Sequence, residues 1–211
     1  MKILIVVATY QEITPFIKKV AGTDIKDLTF KRGNNEIKIL VTGVGMVATA
    51  CALGKELALN TYDVAINVGI AGSFTKKIAL GEVVQVTYDV LSELGAEDDE
   101  EFISLEEMEL GEVGFNASDE PQFTTQLKKV NAITVNKVHG NANSIADIME
   151  RLSPQIESME GAAFFYTCEE ASIPAMQVRA ISNYVETRNR ENWNIPLAVK
   201  NLNDWLSVYL S

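Results

Sequence analysis

A chain of 211 residues that is 47% apolar is long enough to bury one sizeable core. Its formal net charge of −11 excludes nucleic acid and anionic membrane as expected partners, because both require a basic footprint. Nine acidic residues and no basic one fall within residues 93–109, so subtracting those nine from −11 leaves −2 elsewhere, and the run reads as a solvated surface excursion.

The first apolar run, residues 3–8, is too short for a signal peptide or a membrane span and reads as an opening strand, which predicts a cytoplasmic protein. Just beyond it, Ala8-Thr9-Tyr10-Gln11-Glu12 places a glutamate where its side chain reaches over the sheet edge, although a first-turn glutamate is also an ordinary helix feature. A second strand at 37–42 runs into Thr42-Gly43-Val44-Gly45-Met46-Val47-Ala48, which meets the loose dinucleotide pattern GxGxxA and opens a helix at 46–59. That pattern belongs after the first strand, with a ribose-holding acid at the end of the next one. Here 3–8 comes first, and Asp63 precedes its strand, so dinucleotide binding is disfavoured. A tight turn presenting N–H groups at a helix start suits instead the wall of a sugar or solvent pocket.

The strand at 64–68 ends in Asn67-Val68-Gly69-Ile70-Ala71-Gly72-Ser73, small residues that make a glycine turn or let a flat ligand approach the backbone, at Gly72 above all. Further strands are predicted at 83–87, 132–135 and 176–182, and helices at 142–152, 161–171 and 192–210, from apolar spacing of two or of three and four. Between the strand at 132–135 and the next helix stands the only histidine, in Val138-His139-Gly140-Asn141-Ala142-Asn143; one histidine makes neither a metal site nor a Ser–His triad. Cys51 and Cys168 lie in apolar helical patterns and read as buried free thiols, supporting neither disulfide nor metal. Glu160 sits among Met159, Gly161, Ala162 and Ala163 with little polar cover, so it is either a helix N-terminal acid or a buried carboxylate that needs donors. Ser182-Asn183 is expected to leave its strand and begin a polar loop. Alternating strands and helices predict an α/β chain with a mixed sheet covered on both faces, and no repeat, linker or composition shift divides residues 1–211 into more than one domain.

Three segments together resemble the purine nucleoside phosphorylase and nucleosidase superfamily: Glu157-Ser158-Met159-Glu160-Gly161-Ala162-Ala163, Asn67-Val68-Gly69-Ile70-Ala71-Gly72 and Arg179-Ala180-Ile181-Ser182-Asn183. Ser92-Glu93-Leu94-Gly95-Ala96-Glu97-Asp98 and Asn183-Tyr184-Val185-Glu186-Thr187-Arg188-Asn189-Arg190-Glu191-Asn192-Trp193 are similar to segments of its futalosine hydrolases. The resemblance implies a three-layer α/β/α sandwich with a central mixed twisted sheet, and hydrolysis of a purine nucleoside's N-glycosidic bond without metal or organic cofactor. It gives Glu12 the activation of water, Glu160 the ribose hydroxyls, and Met159 packing on the sugar, and it sets the loop of His139 and Asn141 near the purine. Phosphorylases of the superfamily carry a phosphate-binding arginine where this chain has Asn67, which favours water as the attacking group.

Adenine-releasing members have Asp where this chain has Asn183. A 6-oxopurine presents acceptors at its oxo group and the adjacent ring nitrogen, which a carboxamide N–H group matches, whereas a buried carboxylate facing the oxo lone pairs is mismatched by roughly 1–3 kcal/mol. Asn183 therefore points to hypoxanthine. Futalosine adds a carboxyphenyl extension at the sugar end, for which Arg188 or Arg190 is the expected partner, each being equally readable as a solvated charge. The competing readings are a methylthioadenosine/adenosylhomocysteine-type nucleosidase, against which Asn183 argues, a nucleoside phosphorylase, against which Asn67 argues, and a non-catalytic purine-binding module. The superfamily also implies a homo-oligomer, a dimer or higher.

Overall fold

The computed structural model describes residues 1–20, 28–119 and 125–211. In chain order the elements are β1 (Lys2–Val7), α1 (Tyr10–Val20), β2 (Thr29–Arg32), β3 (Asn35–Val41), α2 (Met46–Leu59), β4 (Val64–Ser73), β5 (Val83–Leu91), β6 (Gly95–Asp98), β7 (Glu101–Ser104), β8 (Gly114–Asn116), β9 (Lys128–Thr134), α3 (Ala142–Leu152), β10 (Ile156–Ser158), α4 (Gly161–Glu170), β11 (Ala175–Tyr184) and α5 (Ile195–Tyr209). The predicted helices at 46–59 and 142–152 match α2 and α3 residue for residue. The last one starts later, at Ile195, after a 3-10 turn over Arg190–Asn192.

Among the described residues nine strands form one mixed sheet, in the order β10-β9-β5-β11-β4-β1-β3-β2 with β8 added against β5. Strand β10 pairs with β9 in parallel and with β4 antiparallel, so β4, β11, β5, β9 and β10 close into a ring, while β1, β3 and β2 extend from it as an open wing. Alternation along β1 shows how the two faces are filled. Ile3, Ile5 and Val7 pack with Ile13 and Phe16 of α1 and with Ala198, Leu202 and Leu206 of α5. Leu4 and Val6 point the other way, into a core with Leu53 of α2 and Ala162, Phe164 and Phe165 of α4. Full burial of each such side chain contributes about 1.5–3 kcal/mol, which is what holds the helices as layers on the two faces.

Three expectations need correction, and one helix is added. The segment 69–73 is no turn, since β4 runs through it and pairs with β11 as far as Ser73. Asn183 lies within β11 and not in a loop, because a register shift between Ile181 and Asn183 bulges the strand and lets pairing resume with Asn183 opposite Gly72. Helix α1 was not evident in the sequence, as Pro15 stands inside it. The helix tolerates that ring because the buried Asn203 carboxamide is spliced into it, accepting from Phe16 N at 2.8 Å and donating to Glu12 O at 2.7 Å. Cys168 is buried as expected, but Cys51 is exposed: α2 is apolar nearly all round, with Val47 and Leu59 also exposed, so its pattern does not reveal which side faces the core.

The acidic run forms an ordered hairpin, β6 paired with β7 as a separate two-stranded sheet. Arg151 of α3 ties its root to the body, with its guanidinium 4.0 Å from the Phe102 ring and 2.8 Å from Ser92 O. No helix among the described residues is long and apolar enough to cross a membrane.

Candidate active site

The parallel strands β1, β4 and β11 end on the same side, and a cavity of about 290 Å³ opens beyond their carboxyl ends. Its wall is assembled from distant segments: Thr9 and Glu12 after β1, Ile70–Gly72 in β4, Glu157–Glu160 at the end of β10, and Ser182 and Asn183 in β11, with Trp193 from the stretch before α5. Of the candidate residues, Glu12, Gly72, Met159, Glu160 and Asn183 come together here, whereas Asn141, Arg188 and Arg190 do not border the cavity.

Glu12 is buried in the first turn of α1. One carboxylate oxygen accepts from Thr9 N at 3.0 Å and Thr9 Oγ1 at 2.8 Å, and the other accepts from Ile70 N at 3.1 Å. Burial raises its pKa above the ordinary glutamate value; the Thr9 and Ile70 hydrogen bonds and the charge of Arg179 pull it back, while Glu160 adds to the rise. A carboxylate so placed can accept a proton from a bound water.

Glu160 stands at the N-cap position of α4 with no side-chain hydrogen bond to the helix and is equally buried, with Oε1 accepting from Gly45 N at 3.1 Å and Oε2 lying 3.4 Å from Arg179 Nη1. Gly45 has φ 97°, a conformation that favours glycine, so the glycine turn after β3 supplies a carboxylate-binding N–H rather than a phosphate cradle. Asp63, the acid considered for a dinucleotide, accepts from Lys2 N at 2.6 Å at the opposite end of the strands.

Arg179 is the buried charge of the candidate site that element prediction passed over. It is 1% exposed, and its guanidinium donates to Asn67 Oδ1 and faces Glu160, with Nε left without a partner. Asn67 in turn donates to Val6 O at 3.0 Å, so it anchors the arginine beneath the cavity. A side chain at Gly69 would collide with Arg179 and press on Glu12, which makes that glycine a requirement of the site and not of a turn. The signal available in the sequence was a charge in the middle of an apolar strand, which demands partners when buried.

The Ser182 hydroxyl, 2.8 Å from Asn183 Oδ1, engages the carboxamide oxygen and leaves the N–H group for a ligand, with one contact from it to Tyr184 O at 3.2 Å. Behind α4, fully buried Asp89 accepts from Thr134 Oγ1 at 2.9 Å and Gln177 Nε2 at 3.0 Å, and burial pushes its pKa up to about 6. Thr134 Oγ1 also takes the Ala162 N–H at 2.7 Å, satisfying the first turn of the helix that carries Glu160.

Asn141 caps α3, its side-chain oxygen accepting from Asn143 N at 2.9 Å and Ser144 N at 3.4 Å. Arg188 and Arg190 are exposed, lying 5.3 and 5.8 Å from the Trp193 ring, and Trp193 itself borders the cavity.

A family model described as the phosphorylase superfamily matches residues 2–208. A futalosine hydrolase of Thermus thermophilus is 29% identical over 171 residues, covering 77% of this chain and 76% of the relative. Another, from Acidothermus cellulolyticus, is 31% identical over 175 residues, covering 78% and 71%. Among solved structures, the 5′-methylthioadenosine/S-adenosylhomocysteine nucleosidase of Helicobacter pylori superposes with a TM-score of 0.85 at 16% identity, covering 100% of this chain and 97% of that one. At that identity the likeness shows the fold alone, and it agrees with the mixed sheet flanked by helices described above.

Proposed function

The chain belongs to the phosphorylase superfamily and is an N-glycosyl hydrolase, a nucleosidase, like the relatives it matches; from that premise we propose that it cleaves futalosine and releases hypoxanthine, a step of the futalosine route to menaquinone. The observation that carries this reading is the convergence of Glu12, Glu160 and Asn183 on one cavity, with the buried Arg179 facing Glu160 and tempering Glu12. We take residues 1–211 as one nucleosidase domain, acting in the cytoplasm as a homo-oligomer.

In this reading the bond from the anomeric carbon to the purine breaks through a transition state of oxocarbenium character. Glu160 accepts from the ribose 2′- and 3′-hydroxyls, with Met159 against the sugar and Gly72 giving the flat base room. Glu12 takes a proton from water as its oxygen bonds to the anomeric carbon. The departing purine keeps the bond electrons, and the Asn183 N–H group stabilises them at the oxo group and adjacent ring nitrogen. The test is incubation with futalosine, inosine and methylthioadenosine, with and without phosphate, and identification of the products. Hypoxanthine and free sugar from futalosine without phosphate support the reading. Sugar phosphate formed only with phosphate, preference for methylthioadenosine, or no base release at all each overturns it.

Asn183→Asp is expected to impair hypoxanthine release more than any weak action on adenine nucleosides, by about tenfold for a mismatch of ~1.4 kcal/mol. Equal losses on both substrates would show that Asn183 does not read the base.

The two arginines over Trp193 are assigned to the substrate carboxylate, since an anionic ligand in so acidic a chain needs local positive charge and neither arginine makes an ion pair among the described residues. Both are exposed, so the gain is about 1 kcal/mol, roughly fivefold in affinity. Arg188→Ala with Arg190→Ala is expected to abolish the preference for futalosine over its decarboxy analogue, measured as a ratio of binding constants. An unchanged ratio would place carboxylate recognition elsewhere.

A further inference from the structure

Near Asn183, beside Gly72 on the cavity wall, a second polar pair has no part in the mechanism above. Glu157 is 3% exposed, and His139 supplies all its hydrogen bonds among the described residues: the backbone N–H at 3.1 Å and ring Nδ1 at 2.6 Å. Among those residues no lysine or arginine lies within ion-pair distance of this carboxylate, and the imidazole is its side-chain partner. The Phe74 ring meets the imidazole edge-on at 5.9 Å and fixes its plane. With Nδ1–H committed to Glu157, Nε2 makes no hydrogen bond among the described residues and is not among the fully buried unpaired atoms, which leaves it open where the ring borders the cavity.

The position of this pair relative to the base follows from Gly72. A Cβ built there would stand 3.1 Å from Asn183 Nδ2 and 3.5 Å from Glu157 Cγ, so the bare backbone of Gly72 separates the two groups by little more than the thickness of a side chain. A flat base laid against Gly72 is flanked by both.

We propose that His139, paired through Nδ1 with Glu157, donates from Nε2 to the oxo group of the bound purine and is a specificity-determining residue for 6-oxopurines. The proposal rests on the assignment of Asn183 to the base end of the cavity. An N–H at Nε2 is complementary to an oxo acceptor and opposed to the N–H donors of a 6-amino group. The same N–H stabilises the purine as it departs with the bond electrons.

Asparagine at position 139 reproduces the Nδ1–H bond to Glu157 but has nothing at the position of Nε2, so His139→Asn keeps the buried carboxylate satisfied. Glutamine places a neutral amide near the Nε2 position. The measurements are kcat and KM for futalosine and for methylthioadenosine, and calorimetric binding of free hypoxanthine and adenine, in wild type, His139→Asn and His139→Gln. The expected result is a loss of about ten- to hundredfold in hypoxanthine-over-adenine selectivity in His139→Asn, with partial recovery in His139→Gln. Equal losses on the two bases, or none, overturn the role of His139 while leaving the hydrolase reading intact. If wild type releases no base from futalosine, that reading fails, and the calorimetric comparison of the two free bases still decides the inference.

Discussion

Replacing Glu160 by glutamine is expected to lower turnover on futalosine by about 10²- to 10⁴-fold while the protein remains folded. Two charge-assisted hydrogen bonds to ribose hydroxyls, each contributing about 1.5–3 kcal/mol, set that range when the amide reproduces neither in the transition state. Glutamine keeps the size of the side chain and an oxygen for the Gly45 N–H, so the contact that ties the start of α4 to the turn after β3 is preserved. What is lost is the charge facing Arg179, and that loss reaches Glu12. Glu160 is one of the influences raising the Glu12 pKa and Arg179 one of those lowering it, so removing the first leaves the second unopposed. The residual activity of Glu160→Gln should therefore reach its plateau at lower pH than wild type. Steady-state kinetics across pH, with thermal unfolding to verify the fold, checks both parts; near-normal turnover in a folded variant would refute the role.

Residues 12, 72, 160 and 183 stand among small residues or at strand ends, which marks them as candidates, but it was the family resemblance that implied their meeting in one site. The sheet's closure was not legible, since β10 is only three residues long and its pairing to both β4 and β9 depends on the curl of the whole sheet. Arg179 illustrates a different limit. Along β11, Met176, Val178 and Ala180 belong to the core under α1 and α5, which places Gln177 and Arg179 together on the other face, where Asp89 and Glu160 await them. Period-two reading of that strand exposes a polar face, but the carboxylates that make it tolerable lie 88 and 19 residues away in the chain. His139 and Glu157 are likewise separated by 18 residues and meet only because β10 pairs beside β9 and β4. Asn203 is the plainest case: it looks like a surface residue of a terminal helix, and it repairs α1 at Pro15 with the same carboxamide that holds the Glu12 backbone. Groups such as Arg179, Glu157 and Asn203 take their places through long-range pairing, which no local pattern in the chain displays.

Glu12→Gln is the second substitution expected to have a large effect, lowering turnover by about 10²- to 10⁴-fold because an amide cannot take the proton of the attacking water. In wild type, activity should rise with pH as Glu12 ionises, at a pH above that of an ordinary glutamate because burial raises its pKa. Stability runs in the opposite sense. A carboxylate whose folded pKa exceeds its unfolded value contributes fully to stability below the unfolded pKa, here 4.5, and loses that contribution as pH rises through the folded pKa. Ionising Glu12 therefore creates the base and weakens the fold in the same window. Asp89, raised from 3.8 to about 6 by burial, produces a slope of the same sign over an overlapping range, so wild-type unfolding data alone do not isolate Glu12. The difference between wild type and Glu12→Gln does, since Asp89 is common to both. Thermal unfolding from acid to neutral pH should show wild type losing more stability than the variant across the interval in which its activity appears. Parallel unfolding curves, or an acid limb of activity that survives in the variant, would remove Glu12 from the role of base.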